Sequence, residues 1–284
     1  MKKKIPTFVK WAGGKKQLIL QFKRFFPKKI NRYIEPFVGG GAVAFYIIKN
    51  YKPKEVIVSD INEELMNAYK AIKNNPEKLI KLLKKYKKKH NKEEYYKIRA
   101  EDSKFLSSLT RASRFIYLNK TCYNGLYRVN SKGQFNVPMG SYKNPSIVME
   151  KELREISKLL KKVKIKIESF EKILNYAKKS DFIYFDPPYY PLKEGKSFTT
   201  YTKYNFLEKE QEQLAEIFKK LDKKGCKVML SNSDTGFIKN LYKDYKINIV
   251  KASRMISCEG SGRGKINEIV VTNYPLKEKQ KKII

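Results

Sequence analysis

Seven short runs of mostly β-branched, aromatic and other apolar residues punctuate the chain: 33–37, 56–59, 165–168, 182–185, 227–231, 247–250 and 268–272. Each is too short for a core helix, and most end at Gly, Pro, Asn or Asp, which is the signature of buried strands. Between them the apolar spacing changes to the helical period. Leu207, Gln211, Leu214, Phe218 and Leu221 fall on one face with Ile217 beside them, and a helix over 42–48 opens directly after a glycine run. Strands alternating with helices predict an α/β, Rossmann-like fold, a mostly parallel sheet covered on both faces.

The middle of the chain breaks this rhythm. Residues 63–104 are helical in pattern and dense in lysine, with Leu79, Leu82, Leu83 and Tyr86, then Tyr95, Tyr96 and Ile98, as apolar positions. Residues 119–146 look like loops, with Asn, Gly, Pro and aromatics between Arg and Lys. The pattern predicts a helical insertion over 63–146 in a discontinuous sheet domain of 1–62 and 147–284, whose basic end, 277–284, is expected to fray.

Charge adds a partner. Lys and Arg number 63 against 28 Asp and Glu, a formal net charge of +35 over 284 residues. So large a charge repels itself in the compact state, and a polyanion, above all nucleic acid, relieves it. Glu/Lys enrichment through heat adaptation is the competing explanation. Lys far exceeds Glu, so balanced ion-pair networks do not account for all of it. Three scattered cysteines, Cys122, Cys226 and Cys258, form neither a disulfide framework nor a metal pair, as expected in a reducing cytoplasm. The lone His90 gives no centre for a His-rich metal site or a Ser-His-Asp triad, so no metal is expected. Neither a signal peptide nor a membrane span is expected.

Two segments carry chemistry. The strand at 33–37 runs into Gly39-Gly40-Gly41-Ala42-Val43-Ala44, a G-x-G-x-x-A turn opening a helix, and Asp60 ends the next strand about 20 residues on. Such a turn lets backbone approach a ligand, and the acid accepts ribose hydroxyls, so an adenosine-bearing cofactor is expected; a dinucleotide fits the pattern as well as S-adenosylmethionine. A close packing turn with Asp60 as a helix cap is the plainer alternative. Upstream, Trp11 sits in Lys10-Trp11-Ala12-Gly13-Gly14-Lys15, either as a core anchor or beside an anionic ligand.

The second segment is Asp186-Pro187-Pro188-Tyr189, delivered by the apolar strand at 182–185 to its C-terminal end, where open α/β sheets place their chemistry. The prolines hold the chain extended and stiff. An exocyclic aromatic amine is a poor nucleophile because its lone pair is delocalised into the ring. A carboxylate and the Pro187 carbonyl can each accept one of its N–H bonds and free that pair, as preorganised acceptors aimed at developing charge. Tyr189 offers a stacking face to a base taken out of its duplex.

With these pieces in order, the sequence resembles the Dam-type adenine-specific DNA methyltransferases, over nearly the whole chain. The matching pieces are Lys10–Lys15, Glu35–Gly41, Ser59–Asn62, Tyr123-Asn124-Gly125-Leu126-Tyr127-Arg128, Gly133–Pro138, Asp186–Tyr189 and Ser231–Asp234. The resemblance implies the seven-stranded methyltransferase sheet, with the 63–146 insertion as target-recognition region. It implies S-adenosylmethionine as cofactor, touched by Trp11, Lys15, Phe37, Gly39, Gly41, Asp60, Phe170 and Asp186. It implies Asp186, Pro187 and Tyr189 as the catalytic residues. Lys10, Tyr123, Asn124, Leu126, Arg128 and Pro138 are then the contacts to double-stranded DNA at GATC, made by a monomer, with a restriction endonuclease as possible companion. Tyr127 departs from the family pattern, being larger than expected there. An NAD-type oxidoreductase, a non-catalytic nucleic-acid-binding module, or methyl transfer to RNA adenine or cytosine N4 are the other readings. The residues at 123–138 by themselves fit an ordinary polar turn over a floor of Phe135 and Val137.

Overall fold

The structure is a computed structural model that describes residues 5–192, 206–253 and 265–276. The seven expected strands form one sheet: β1 (Arg32–Pro36), β2 (Glu55–Asp60), β3 (Val163–Ile167), β4 (Phe182–Phe185), β5 (Lys227–Ser233), β6 (Lys246–Ser253) and β7 (Lys265–Thr272). Their order is β3-β2-β1-β4-β5-β7-β6, parallel except for β7, which runs antiparallel to both neighbours. The central strands are buried on both faces, which is why they read as continuous apolar runs; all four residues of β4 are inaccessible.

The helices are α1 (Ile19–Phe22), α2 (Ala42–Tyr51), α3 (Glu63–Asn74), α4 (Pro76–Lys89), α5 (Lys92–Ala100), α6 (Ser108–Thr121), α7 (Glu150–Leu160), α8 (Glu208–Lys223) and α9 (Gly236–Leu241). The expected helical stretch 63–104 is three helices, broken where asparagines intervene. Asn62 and Asn91 cap α3 and α5 by accepting from Leu65 N and Glu94 N, and Pro76 opens α4. Helix α6 carries no clear apolar stripe in its sequence because it is buried nearly all round, from Ala112 to Thr121. It therefore runs into the segment expected to be loop. Leu207, placed on the buried face of α8, sits at that helix's N-cap and is 40% exposed.

Helix α3 packs against β2, β3 and α7 on one side and α6 on the other. The insertion thus shares one hydrophobic core with a face of the sheet, from Tyr33 and Val58 through Tyr69 to Tyr95 and Tyr117. The opposite face packs on α8 through Leu214, Phe218 and Leu221. The lysines of α4 stay largely in solvent. The tail 277–284 and Cys258 lie outside the described residues; Cys122 and Cys226 are buried free thiols. Among the described residues no helix is long and apolar enough to cross a membrane.

Candidate active site

Strand order decides what meets. The register pairs Tyr33 with Val56 and with Phe182, so the C-terminal ends of β2, β1 and β4 lie side by side. Those ends carry Asp60, the glycine turn and Asp186. The chain order of the strands reverses between β1 and β4, which is where open α/β sheets leave a crevice for ligands.

The turn is under conformational constraint. Phe37 has φ +98°, a left-handed conformation unusual for a non-glycine residue, and Gly39 and Gly41 follow at +47° and +74°. Phe37 N and Val38 N both donate to Ser59 O at 3.0 Å, stapling the turn to β2. Asp60 completes the bridge: its Oδ2 accepts from Gly39 N at 3.1 Å and its Oδ1 from Asn62 N at 3.0 Å. Burial pushes the Asp60 carboxyl up, opposed by the backbone donors of Asn62, Gly39 and Ile61. Asp60 is therefore not the cap of α3, a role that Asn62 takes.

Trp11 forms the wall of the turn. A Cβ on Gly39 would lie 2.7 Å from its Cδ1, and one on Gly40 3.2 Å from its Cβ, so glycine is required for the indole to lie this close. Its aromatic neighbours are Tyr127, stacked at 6.0 Å between centroids, and Phe115, tilted at 6.3 Å. Phe170 stacks on Phe37 at 5.3 Å, and Phe206 meets both rings. Glu168, two residues before Phe170, accepts from Tyr176 and pairs with Lys166.

Asp186 holds a buried ion pair. Lys15, 4% exposed, places Nζ 2.9 Å from Asp186 Oδ1, donates to Gly13 O at 2.6 Å and lies 4.5 Å from the centre of the Tyr189 ring. Ser231 Oγ donates to the same Asp186 oxygen at 2.9 Å. Its one hydrogen being spent there, Ser231 accepts from Tyr184, whose hydroxyl is 2.7 Å away. Burial raises the Asp186 carboxyl above the usual aspartate range, while Lys15 and Ser231 pull it back toward the ionised form. The following residues are braced: Gln211 Nε2 donates to Pro188 O at 2.9 Å, Asn232 Nδ2 to Gln211 Oε1 at 2.9 Å, and Tyr189 OH to Glu268 Oε2 at 2.7 Å. Beneath the turn, fully buried Tyr33 donates to Glu35, whose carboxyl burial raises well above its ordinary range.

Glu268, Tyr184 and Gln211 were not singled out from sequence as site residues. Gln211 had a signal, being the polar member of an apolar helix face. Glu268 had a weaker one, a carboxylate leading an otherwise apolar run. Tyr184 had none, since a tyrosine within a buried strand reads as core.

A second cluster lies along one edge of the insertion. Asn119 of α6 clamps the N-terminal segment to the 123–128 turn: it accepts from Lys10 N and donates to Lys10 O, both at 2.8 Å, and to Gly125 O at 3.0 Å. Gly125 has no room for a Cβ, which would fall 2.4 Å from that of Lys10. Lys10 Nζ lies over the Tyr142 ring at 3.8 Å. Tyr123, Asn124, Arg128 and Pro138 are exposed and Leu126 is half-buried, while Phe135 and Val137 form the buried floor. Tyr123 N donates to Pro138 O at 2.9 Å, and Arg128 Nε donates to Asn136 Oδ1 at 2.8 Å. Lys10 is thus brought beside residues more than a hundred positions away.

Residues 11–256 match the family described as D12 class N6 adenine-specific DNA methyltransferase, a span that contains both clusters apart from Lys10 and Glu268. The chain belongs to that family. This methyltransferase is 48% identical to the Type II methyltransferase M.MjaIII of Methanocaldococcus jannaschii, over 95% of this chain and 99% of the relative. It is 45% identical to the Type II methyltransferase M1.LlaDCHI of Lactococcus lactis subsp. cremoris, over 95% and 96%. The DNA adenine methylase of Escherichia coli K12 is 35% identical over 96% and 97%. Membership sets aside an oxidoreductase, a non-catalytic nucleic-acid-binding module, and RNA adenine or cytosine N4 as the target: the substrate is adenine N6 in DNA.

Proposed function

We propose that this methyltransferase uses S-adenosylmethionine to methylate adenine N6 in double-stranded DNA at GATC, with the target base flipped out to Asp186-Pro187-Pro188-Tyr189. The observation that carries the reading is the row of Asp60, the Phe37–Gly41 turn and Asp186 on three adjacent strand ends. Its donors fit the cofactor: a carboxylate for ribose hydroxyls, aromatic rings for adenine, and the Lys15–Asp186 pair for a zwitterionic amino-acid end. Two carboxylates around the turn also suit a sulfonium and disfavour a pyrophosphate. Trp11, Lys15, Phe37, Gly39, Gly41, Asp60, Phe170 and Asp186 hold the cofactor, which when bound supplies a methyl group on a positive sulfur.

The chain's own part is to prepare the amine. Asp186 and the Pro187 carbonyl accept its two N–H bonds, and Tyr189, kept in place by Glu268, stacks on the base. The Lys10–Arg128 edge is the DNA interface, where Arg128 reads a guanine and Tyr123, Asn124, Leu126 and Pro138 meet neighbouring bases. The 63–146 insertion is then the target-recognition part, and 1–62 with 147–284 the catalytic part. The higher identity to two Type II enzymes than to the adenine methylase of E. coli favours a modification role beside a cognate endonuclease.

The test is to methylate plasmid DNA and digest it with nucleases that cut GATC but differ in sensitivity to its methylation. Selective protection from the methylation-sensitive nuclease is expected. Methyl incorporation without that protection refutes GATC. Asp186→Ala should abolish methyl transfer and leave DNA binding largely intact; undiminished transfer refutes the catalytic assignment.

A further inference from the structure

Tyr127 lies between Leu126 and Arg128 in the 123–128 segment, and its contacts tie that segment to the glycine turn. Neighbouring side chains of an extended segment point to opposite sides. Arg128 faces solvent on the DNA edge, while the Tyr127 ring turns inward and stacks on Trp11 at 6.0 Å with 27° between the planes. Trp11 in turn walls Gly39, with no space for a Cβ between them. One ring thus reaches the wall of the cofactor cradle.

Tyr127 is not sealed into a rigid core. It borders a cleft of about 280 Å³ that also involves Glu64, Arg114 and the hairpin tip at Lys132 and Gly133. None of the residues lining this cleft belongs to the Asp186 cluster. Phe115 and Phe135 hold the ring from the sides, at 5.4 and 5.8 Å. A shift of the segment on DNA therefore has room to carry the ring with it, and the indole follows through direct contact.

We infer that Tyr127 is a positioning residue that couples the DNA-reading segment to the cofactor cradle through its stack on Trp11, so that the state of one sets the affinity of the other. The inference rests on the proposed assignment of the cradle to S-adenosylmethionine and of the segment to DNA. Such coupling is reciprocal and amounts to about 5–150-fold in affinity where it has been measured in other proteins.

Calorimetric titration of S-adenosylhomocysteine into the full chain, with and without a short duplex carrying one GATC, measures it. The wild-type chain should show a ratio of the two affinities of about tenfold. Tyr127→Phe keeps the stack and should keep that ratio. Tyr127→Leu fills the space without a ring and should bring the ratio to about one, with DNA-free affinity and melting temperature near wild type. A purely structural role would lower stability and both affinities together and leave the ratio alone. A Leu variant with the wild-type ratio overturns the coupling while the functional reading stands, as does a wild-type chain that binds the ligand equally with and without DNA. A wild-type chain that does not bind S-adenosylhomocysteine refutes the cofactor reading itself, and the coupling with it.

Discussion

Replacing Gly39 by Ala tests the cradle at its tightest point. The added Cβ meets two costs. Gly39 has φ +47°, and an L-residue held in that left-handed region costs roughly 1–2 kcal/mol. The Cβ would also lie 2.7 Å from Trp11 Cδ1 and 2.9 Å from Nε1. Carbon contacts are comfortable at about 3.5–4 Å, so the indole has to retreat by about 1 Å. Trp11 is only half-buried and can give way, so the fold should survive with a loss of about 1–2 kcal/mol. The site should not survive as well, because a displacement of about 1 Å at a preorganised site can cost about a hundredfold in rate. The assay is built into the chain: Trp11 is its single tryptophan, so intrinsic emission reports that one ring. The variant should show altered emission and at least about tenfold weaker S-adenosylhomocysteine binding, with a urea midpoint only modestly lowered. Gly133→Ala is the control. It has φ +77° but nothing within 4 Å of its Cβ, so it carries strain without the collision. It should lose similar stability and keep wild-type emission and affinity. Wild-type emission and affinity in Gly39→Ala, or an equal loss of affinity in Gly133→Ala, would refute the reasoning.

Three further residues, Ser231, Arg128 and Glu268, carry the other predictions. Ser231→Ala removes a donor that favours the ionised Asp186, so the Asp186 carboxyl should rise further; because the amine needs the ionised acceptor, the acidic limb of the pH–kcat profile should move to higher pH, and an unmoved or lowered limb counts against the assignment. The same change leaves the buried Tyr184 hydroxyl without its acceptor and should cost about 1–3 kcal/mol in denaturant melts. Arg128→Ala should relax discrimination at one base pair by about 1–3 kcal/mol in competition between GATC and single-substitution sites, whereas equal loss on every sequence would mark a phosphate contact. Glu268→Gln keeps an acceptor for Tyr189 and should retain most of kcat, while Glu268→Leu frees the ring and should lower kcat more than cofactor affinity; equal effects of the two changes would show that Glu268 does not position Tyr189.

Much of this molecule is determined locally. The central strands are short apolar runs because both their faces are covered, while the edge strands β3 and β6 are legible by their β-branched residues; all seven fall where the sequence puts them, to within a few residues. The glycine turn and the Asp-Pro-Pro-Tyr segment are also local, since backbone conformation and stiffness belong to residues adjacent in the chain. Helix α6 was missed for the converse reason: a helix buried on every side has no polar face to give it a period. What only the tertiary structure decided is which distant residues meet. No spacing in the sequence pairs Lys15 with Asp186, Ser231 with Asp186, Tyr189 with Glu268, or Lys10 with the 123–128 turn through Asn119. Those pairings follow from the strand order and from a helical insertion that shares its core with the sheet. Tyr127 is the clearest case. As a letter it is one aromatic beside Arg128; in the fold it is the contact between the 123–128 segment and Trp11, the wall of the glycine turn, because packing turned its ring inward.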